Sequence, residues 1–207
     1  MNRIIIIDDR LDNRDKPNLS VSAQEKLKEK SLKGEITITL GIDCSLPIES
    51  VLKDYSLIAI HRSYLVNKNL YNSVYDYVKK TDKYLIIFSG GINPNTIRQN
   101  GHFLYMEASD FYSDRLPLFF EEFGRTQIQY PLLKFLYGNS WRLTLLLEYR
   151  YFLWYYGYID DIEDIDDEDD HGRVKELLNI LWDCNSLVSI ERTNEEIEVE
   201  KAKSLIS

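Results

Sequence analysis

The stretch 54–63, DYSLIAIHRS, constrains this chain more than any other, because an apolar run rich in strand-forming residues carries a histidine, an arginine and a serine to its end. Such a run reads as the central strand of a sheet covered on both faces. Three more apolar runs, at 4–7, 85–88 and 103–105, each stop at a polar or small residue and are expected beside it. Ligands of open α/β sheets meet the carboxyl ends of the strands. The candidate ligand site is therefore Asp8, Asp9, His61, Arg62, Ser89 and Gly90, where those runs end.

Helical patterns alternate with the strands. Ser20 or Ser22 can cap a helix through Gln24, Leu27 and Leu32 that Gly34 ends. The segment 35–40, EITITL, alternates strictly and suits an edge strand. Pro47 can open a short helix through Ile48, Val51 and Leu52. Residues 64–80 carry apolar side chains at 66, 70, 74, 77 and 78, the three-and-four spacing of one amphipathic helix. The turn SGGINPN at 89–95 leaves room for no more than a helical stub before the next strand, and 112–123 reads as a last helix that Pro117 kinks or restarts. The expectation is a doubly wound, mostly parallel five-stranded sheet within about residues 1–125 and an α-helical region over 126–207.

In that second region, 132–137 and 141–158 are apolar nearly all round, relieved by Arg142, Glu148 and Arg150. Helices of this kind are buried or find a partner. Three charges in the run oppose a membrane span, which needs about 20 apolar residues with few charges. Trp141, Trp154, Tyr155 and Tyr158 are candidate partner-binding residues, since Trp and Tyr dominate interface hot spots. Packing as a core hairpin accounts equally well for the same side chains. A further amphipathic helix is expected over 174–183, a short strand at 187–191 and a charged terminal helix over 194–203.

The net charge of −9 is local: residues 160–170, DDIEDIDDEDD, hold nine acids and no base, and removing them leaves 25 acids against 25 bases. The balanced remainder disfavours nucleic-acid binding through a basic face. A solvated acidic linker is the expected state of the run, with pairing to a basic partner surface as its functional alternative. Asp167, Asp169, His171 and Gly172 begin like a calcium loop, but Leu178 stands where the bidentate glutamate belongs, so no metal is expected there. Two distant cysteines, Cys44 and Cys184, make no framework and fit a reducing, cytoplasmic setting. The N-terminal apolar run is too short for a signal peptide. Nothing matches the GxGxxG or P-loop patterns, so no cofactor is expected.

Strands near 4, 36, 56, 84 and 103 with helices between them make a flavodoxin-like layout that resembles a response-regulator receiver domain over about residues 1–125. In that family an acidic pair follows the first strand, a phospho-accepting aspartate ends the third, a Ser or Thr ends the fourth and a lysine ends the fifth. Asp8 and Asp9 match the pair and Ser89 matches the hydroxyl. His61 stands at the acceptor position, and Met106, Glu107 and Ala108 end the fifth strand with no lysine. Magnesium prefers carboxylate oxygens and imidazole serves it poorly, so the resemblance implies a pseudo-receiver without phosphotransfer chemistry.

What the resemblance implies for function is a non-enzymatic signalling or scaffold protein that binds another protein through its helical region. A protein encoded in the same operon is one candidate partner, bacterial conflict and defence systems being one setting for such domains. A homo-oligomer is left open, and no membrane partner is expected. Two competing readings use the strand ends instead. One is a metal-dependent hydrolase or nuclease built on Asp8, Asp9, His61 and Ser89, against which stand the sparse carboxylates and the lack of a nucleophile beyond the lone Cys44. The other is a sensor of a small anionic ligand at the same strand ends, where the backbone N–H groups of Ser89, Gly90, Gly91 and Asn93 can also face an anion.

Overall fold

The computed structural model describes residues 3–10, 19–125, 129–156, 165 and 167–184. The chain divides into two compact units, Met1–Leu136 and Tyr137–Ser207. In the first, the elements run β1 (Ile4–Ile7), α1 (Val21–Leu32), β2 (Ile36–Thr39), α2 (Ile48–Leu52), β3 (Leu57–His61), α3 (Arg62–Asn67), α4 (Tyr71–Lys80), β4 (Tyr84–Ser89), β5 (Thr96–Arg98), β6 (Phe103–Glu107), α5 (Ala108–Phe111), α6 (Arg115–Arg125) and all but the last residue of α7 (Pro131–Tyr137). They build one sheet in the order β2-β1-β3-β4-β6-β5.

Every neighbouring pair is parallel except β5 with β6. The parallel strands are buried on both faces, which is why they read as unbroken apolar runs. Ile5, Ile7, Ile58, Ile60, Leu85 and Ile87 share a core with Leu52, Tyr64, Leu65, Val74, Tyr77 and Val78 from α2, α3 and α4. On the opposite face the alternate residues Ile4, Ile6, Leu57, Ala59, Ile86 and Phe88 are equally buried. There the Tyr84 ring meets Phe123 of α6, and Phe88 stacks on Phe111 of α5. Ser20 caps α1 by accepting from Ala23 N, and Gly34 leaves it at φ +70°, where a side chain would be strained.

Three sequence expectations about the first unit are corrected. The sheet has six strands and not five, because residues 96–98 turn back as β5 against β6 where a helical stub was expected. Gln99, Asn100 and Gly101 make this reversal with three successive positive φ angles. At Gly101 a Cβ would also lie 2.7 Å from the Tyr130 ring, so glycine is required twice over. Second, residues 64–80 are two helices, since Asn69 adopts φ +52° and its neighbourhood closes α3 before α4 starts. Third, residues 112–123 contribute only to α6, and α5 ends before Tyr112. Pro117 lies in the first turn of α6, where its missing N–H leaves no helical bond unmade, so it neither kinks nor restarts the helix.

In the second unit a 3-10 turn, Gly138–Ser140, leads into α8 (Trp141–Tyr155), and α9 (Glu168–Asp183) packs against α8. Arg173 of α9 grips Glu148 of α8 with two bonds, Nε to Oε1 at 2.6 Å and Nη2 to Oε2 at 2.8 Å. Burial works against the Arg173 charge, but the bonds to Glu148 outweigh it and raise its pKa. Helix α9 begins six residues before the amphipathic stretch, because Asp167 accepts from the N–H groups of Asp169 and Asp170. Three acids in its first turn suit the positive helix end. The last four residues of the acidic run are thus a capped helix start and not part of a linker. Among the described residues no helix is long and apolar enough to cross a membrane. The expected strand at 187–191 and helix over 194–203 fall outside the described residues.

Candidate functional site

From β1 the chain moves outward to β2 and then crosses back to β3 on the other side of β1. The direction of winding therefore reverses between the carboxyl ends of β1 and β3, the place where open α/β sheets leave a crevice. Register pairs Ile7 with Ile60, so the residues that follow, Asp8 and Asp9 on one strand and His61 on the other, converge there. One ligand-capable atom from each of the three lies within 4.8 Å of the others.

The crevice is filled from within. Asp8 is fully buried and His61 is 1% exposed. Asp8 Oδ2 accepts from the Tyr112 hydroxyl at 2.7 Å, and Oδ1 accepts from Arg10 N at 3.0 Å. Asp9 Oδ1 accepts from Ser63 Oγ at 2.7 Å, and Ser63 Oγ lies 2.6 Å from His61 Nδ1. The His61 ring meets the edge of Phe88 at 5.4 Å between centroids.

Two contacts of His61 Nδ1 demand opposite protonation. The Ser63 amide points at it from 3.3 Å, which needs a lone pair, whereas Asp9 Oδ1 lies 3.2 Å away, which needs a proton on the ring nitrogen. A carboxylate oxygen facing a nitrogen lone pair is repulsive, and the amide contact is the longest of the set. We therefore assign the proton to Nδ1, which donates to Ser63 Oγ while that hydroxyl donates to Asp9. His61, Ser63 and Asp9 then form a ring of three contacts, two of them hydrogen bonds and the third the 3.2 Å approach of Asp9 Oδ1 to His61 Nδ1.

This ring bears on metal binding. Ser63 already occupies Asp9 Oδ1 and His61 Nδ1, and Tyr112 and the Arg10 amide already draw on both oxygens of Asp8. A cation bound through Nδ1 would have to take its proton and displace Ser63. The donor set could ligate a borderline metal, but its atoms are arranged to satisfy one another.

The other predicted residues lie apart from the ring. Arg62 opens α3 and is exposed. Ser89 ends β4 in register with Glu107 of β6, and Gly90 is exposed in the turn beyond it. A Cβ on Gly90 would stand 3.7 Å from Glu107 Oε1. A carboxylate beside the glycine turn opposes an anion there, so the backbone N–H groups make a poor anion cradle. Asn95 accepts from Glu107 N at 2.8 Å and donates to Asp110 Oδ2 at 2.8 Å, fixing this corner. In the second unit Trp141 is buried, Trp154 and Tyr155 are exposed, and Tyr158 falls outside the described residues.

Two members of the cluster escaped the sequence reading. Ser63 sits inside the run that fixed attention on His61, and a hydroxyl two residues after a strand-end histidine was the available clue. Tyr112 is 104 residues from Asp8 and had no local clue. No family model, curated protein or solved structure matches the chain.

Proposed function

We propose that this chain is a non-enzymatic interaction protein: a receiver-like α/β unit that takes no phosphoryl group, followed by a helical unit that binds a protein partner. The observation that carries this reading is the hydrogen-bonded His61–Ser63–Asp9 cluster with His61 at 1% exposure in the position of a receiver's acceptor. Strand order supports it, since removal of the antiparallel β5 leaves β2-β1-β3-β4-β6, the flavodoxin-like order. So does Glu107, which ends β6 where a receiver carries its lysine. The exposed aromatic side chains of α8 supply the binding surface. Signalling, in bacterial conflict and defence systems among others, is the role such a pairing suits.

Incubation with acetyl phosphate tests the first half. Intact-mass measurement is expected to find no added phosphoryl group, and an acyl phosphate on residues 1–125 would overturn the reading.

The competing reading, a metal-dependent hydrolase or nuclease, draws on the 4.8 Å convergence of Asp8, Asp9 and His61. A metal binding the folded state at 100 times its dissociation constant would add about 2.7 kcal/mol of stability. We expect no shift of the thermal midpoint with excess Mn²⁺ or Zn²⁺. A rise that Asp9→Asn abolishes, with hydrolysis of a phosphodiester, would transfer the argument to the enzyme.

A further inference from the structure

We infer that the exposed face of α8 is where a second copy of this chain docks, the two helices running antiparallel. The inference rests on the proposed partner-binding role of the helical unit and names the partner. Leu143, Leu147, Tyr151, Trp154 and Tyr155 are between 54% and 73% exposed. At 3.6 residues per turn these five positions fall within about a third of the helix circumference, so they form one continuous stripe. Trp141, Leu145 and Phe152 occupy the other side and are buried.

Area points to an occupant. Judged from the size of such side chains, the five expose on the order of 600 Å², as large as the biggest apolar patch on an ordinary monomer. Two such stripes face to face would remove at most roughly 1,200 Å² from water, which reaches the lower edge of a stable specific interface.

Shape points to a second copy. The stripe is graded, with aliphatic Leu143 and Leu147 in its first half and aromatic Tyr151, Trp154 and Tyr155 in its second. An antiparallel copy sets each aliphatic half against the partner's aromatic half, so that Leu143 meets Tyr155 and Leu147 meets Tyr151. Parallel copies would crowd the aromatic ends and leave a gap between the leucines. A self-complementary patch is what a two-fold interface requires. The stripe itself carries no charge, whereas the acidic excess of the chain lies in residues 160–170.

Sedimentation equilibrium of the full chain from about 1 to 100 µM, the range of weak to moderate association, is expected to give twice the 24.4 kDa chain mass. Trp154→Ala with Tyr155→Ala should raise the dimer dissociation constant roughly 30-fold or more. Its circular dichroism should be unchanged, because these side chains are exposed. Leu143→Cys and Tyr155→Cys, each made alone in a Cys44→Ser, Cys184→Ser background and oxidised singly and as a mixture, read the orientation. Within one helix the two positions are about 18 Å apart, too far for a disulfide. Covalent dimers from the oxidised mixture and from neither variant alone support antiparallel docking, and covalent dimers from each variant alone, or none at all from a confirmed dimer, overturn it. A monomer across the range, or a dimer indifferent to the Trp154 and Tyr155 changes, overturns the self-docking. A monomer whose capture of a different protein is lost in the Trp154 and Tyr155 variant would leave the interaction reading standing. A variant that keeps every captured protein would sink both.

Discussion

Phe88→Ala is expected to cost the first unit about 3–5 kcal/mol, the usual range for deleting a fully buried phenylalanine. Phe88 is wholly inaccessible and stands at the meeting point of the core and the candidate site. Its ring stacks on Phe111 at 4.1 Å, meets Tyr112 edge-on at 5.5 Å and receives the His61 ring at 5.4 Å. Truncation removes all three contacts at once and leaves a cavity that the sheet, pinned by β3 and β6 on either side, collapses poorly. Urea unfolding followed by far-UV circular dichroism checks it. All three tryptophans lie in Tyr137–Ser207, so tryptophan fluorescence reports on that unit alone. Leu118→Ala, at a side chain that is mostly exposed, should stay within about 0.5 kcal/mol. A loss below about 1.5 kcal/mol for Phe88→Ala would mean that the site relaxes around the void.

The second large effect is at Asp8. Asp8→Ala strips the acceptor from the buried Tyr112 hydroxyl and from the Arg10 amide, and we expect a loss of about 2–4 kcal/mol. Tyr112→Phe should cost less, about 1 kcal/mol, because Asp8 keeps its bond from Arg10. The double variant is expected to cost less than the two single losses added together, since the buried hydroxyl that Asp8→Ala strands is then gone and the bond between the two side chains is lost only once. Strict additivity would show that Tyr112 and Asp8 are neighbours without being coupled, and the cluster would lose its role as a structural tie.

How much of this was legible beforehand follows the range of the forces. The runs 4–7, 57–61 and 84–89 announced themselves because a strand buried on both faces must be apolar throughout. The Ser20 cap and the Gly34 stop were legible because capping is decided within a few residues. Residues 96–98 were not, since Thr-Ile-Arg between a glycine-rich turn and a glycine has no strand pattern of its own and pairs only because β6 lies beside it. The same division runs through the site. Asp8, Asp9 and His61 were found from strand ends, which topology brings together. Tyr112 was missed because only the finished fold delivers it.

The antiparallel β5 has a consequence for solubility. Sheets with an open flank are templates for adding foreign strands, and a parallel strand left bare at β6 would offer five residues of unpaired backbone. The reversal at Gly101 covers that flank with a strand of three residues ending in Arg98, too short and too charged to nucleate further pairing. At the far side β2 offers only four residues, Ile36–Thr39, alternating with threonine. Short edge strands at both borders limit the backbone that edge-to-edge pairing can use.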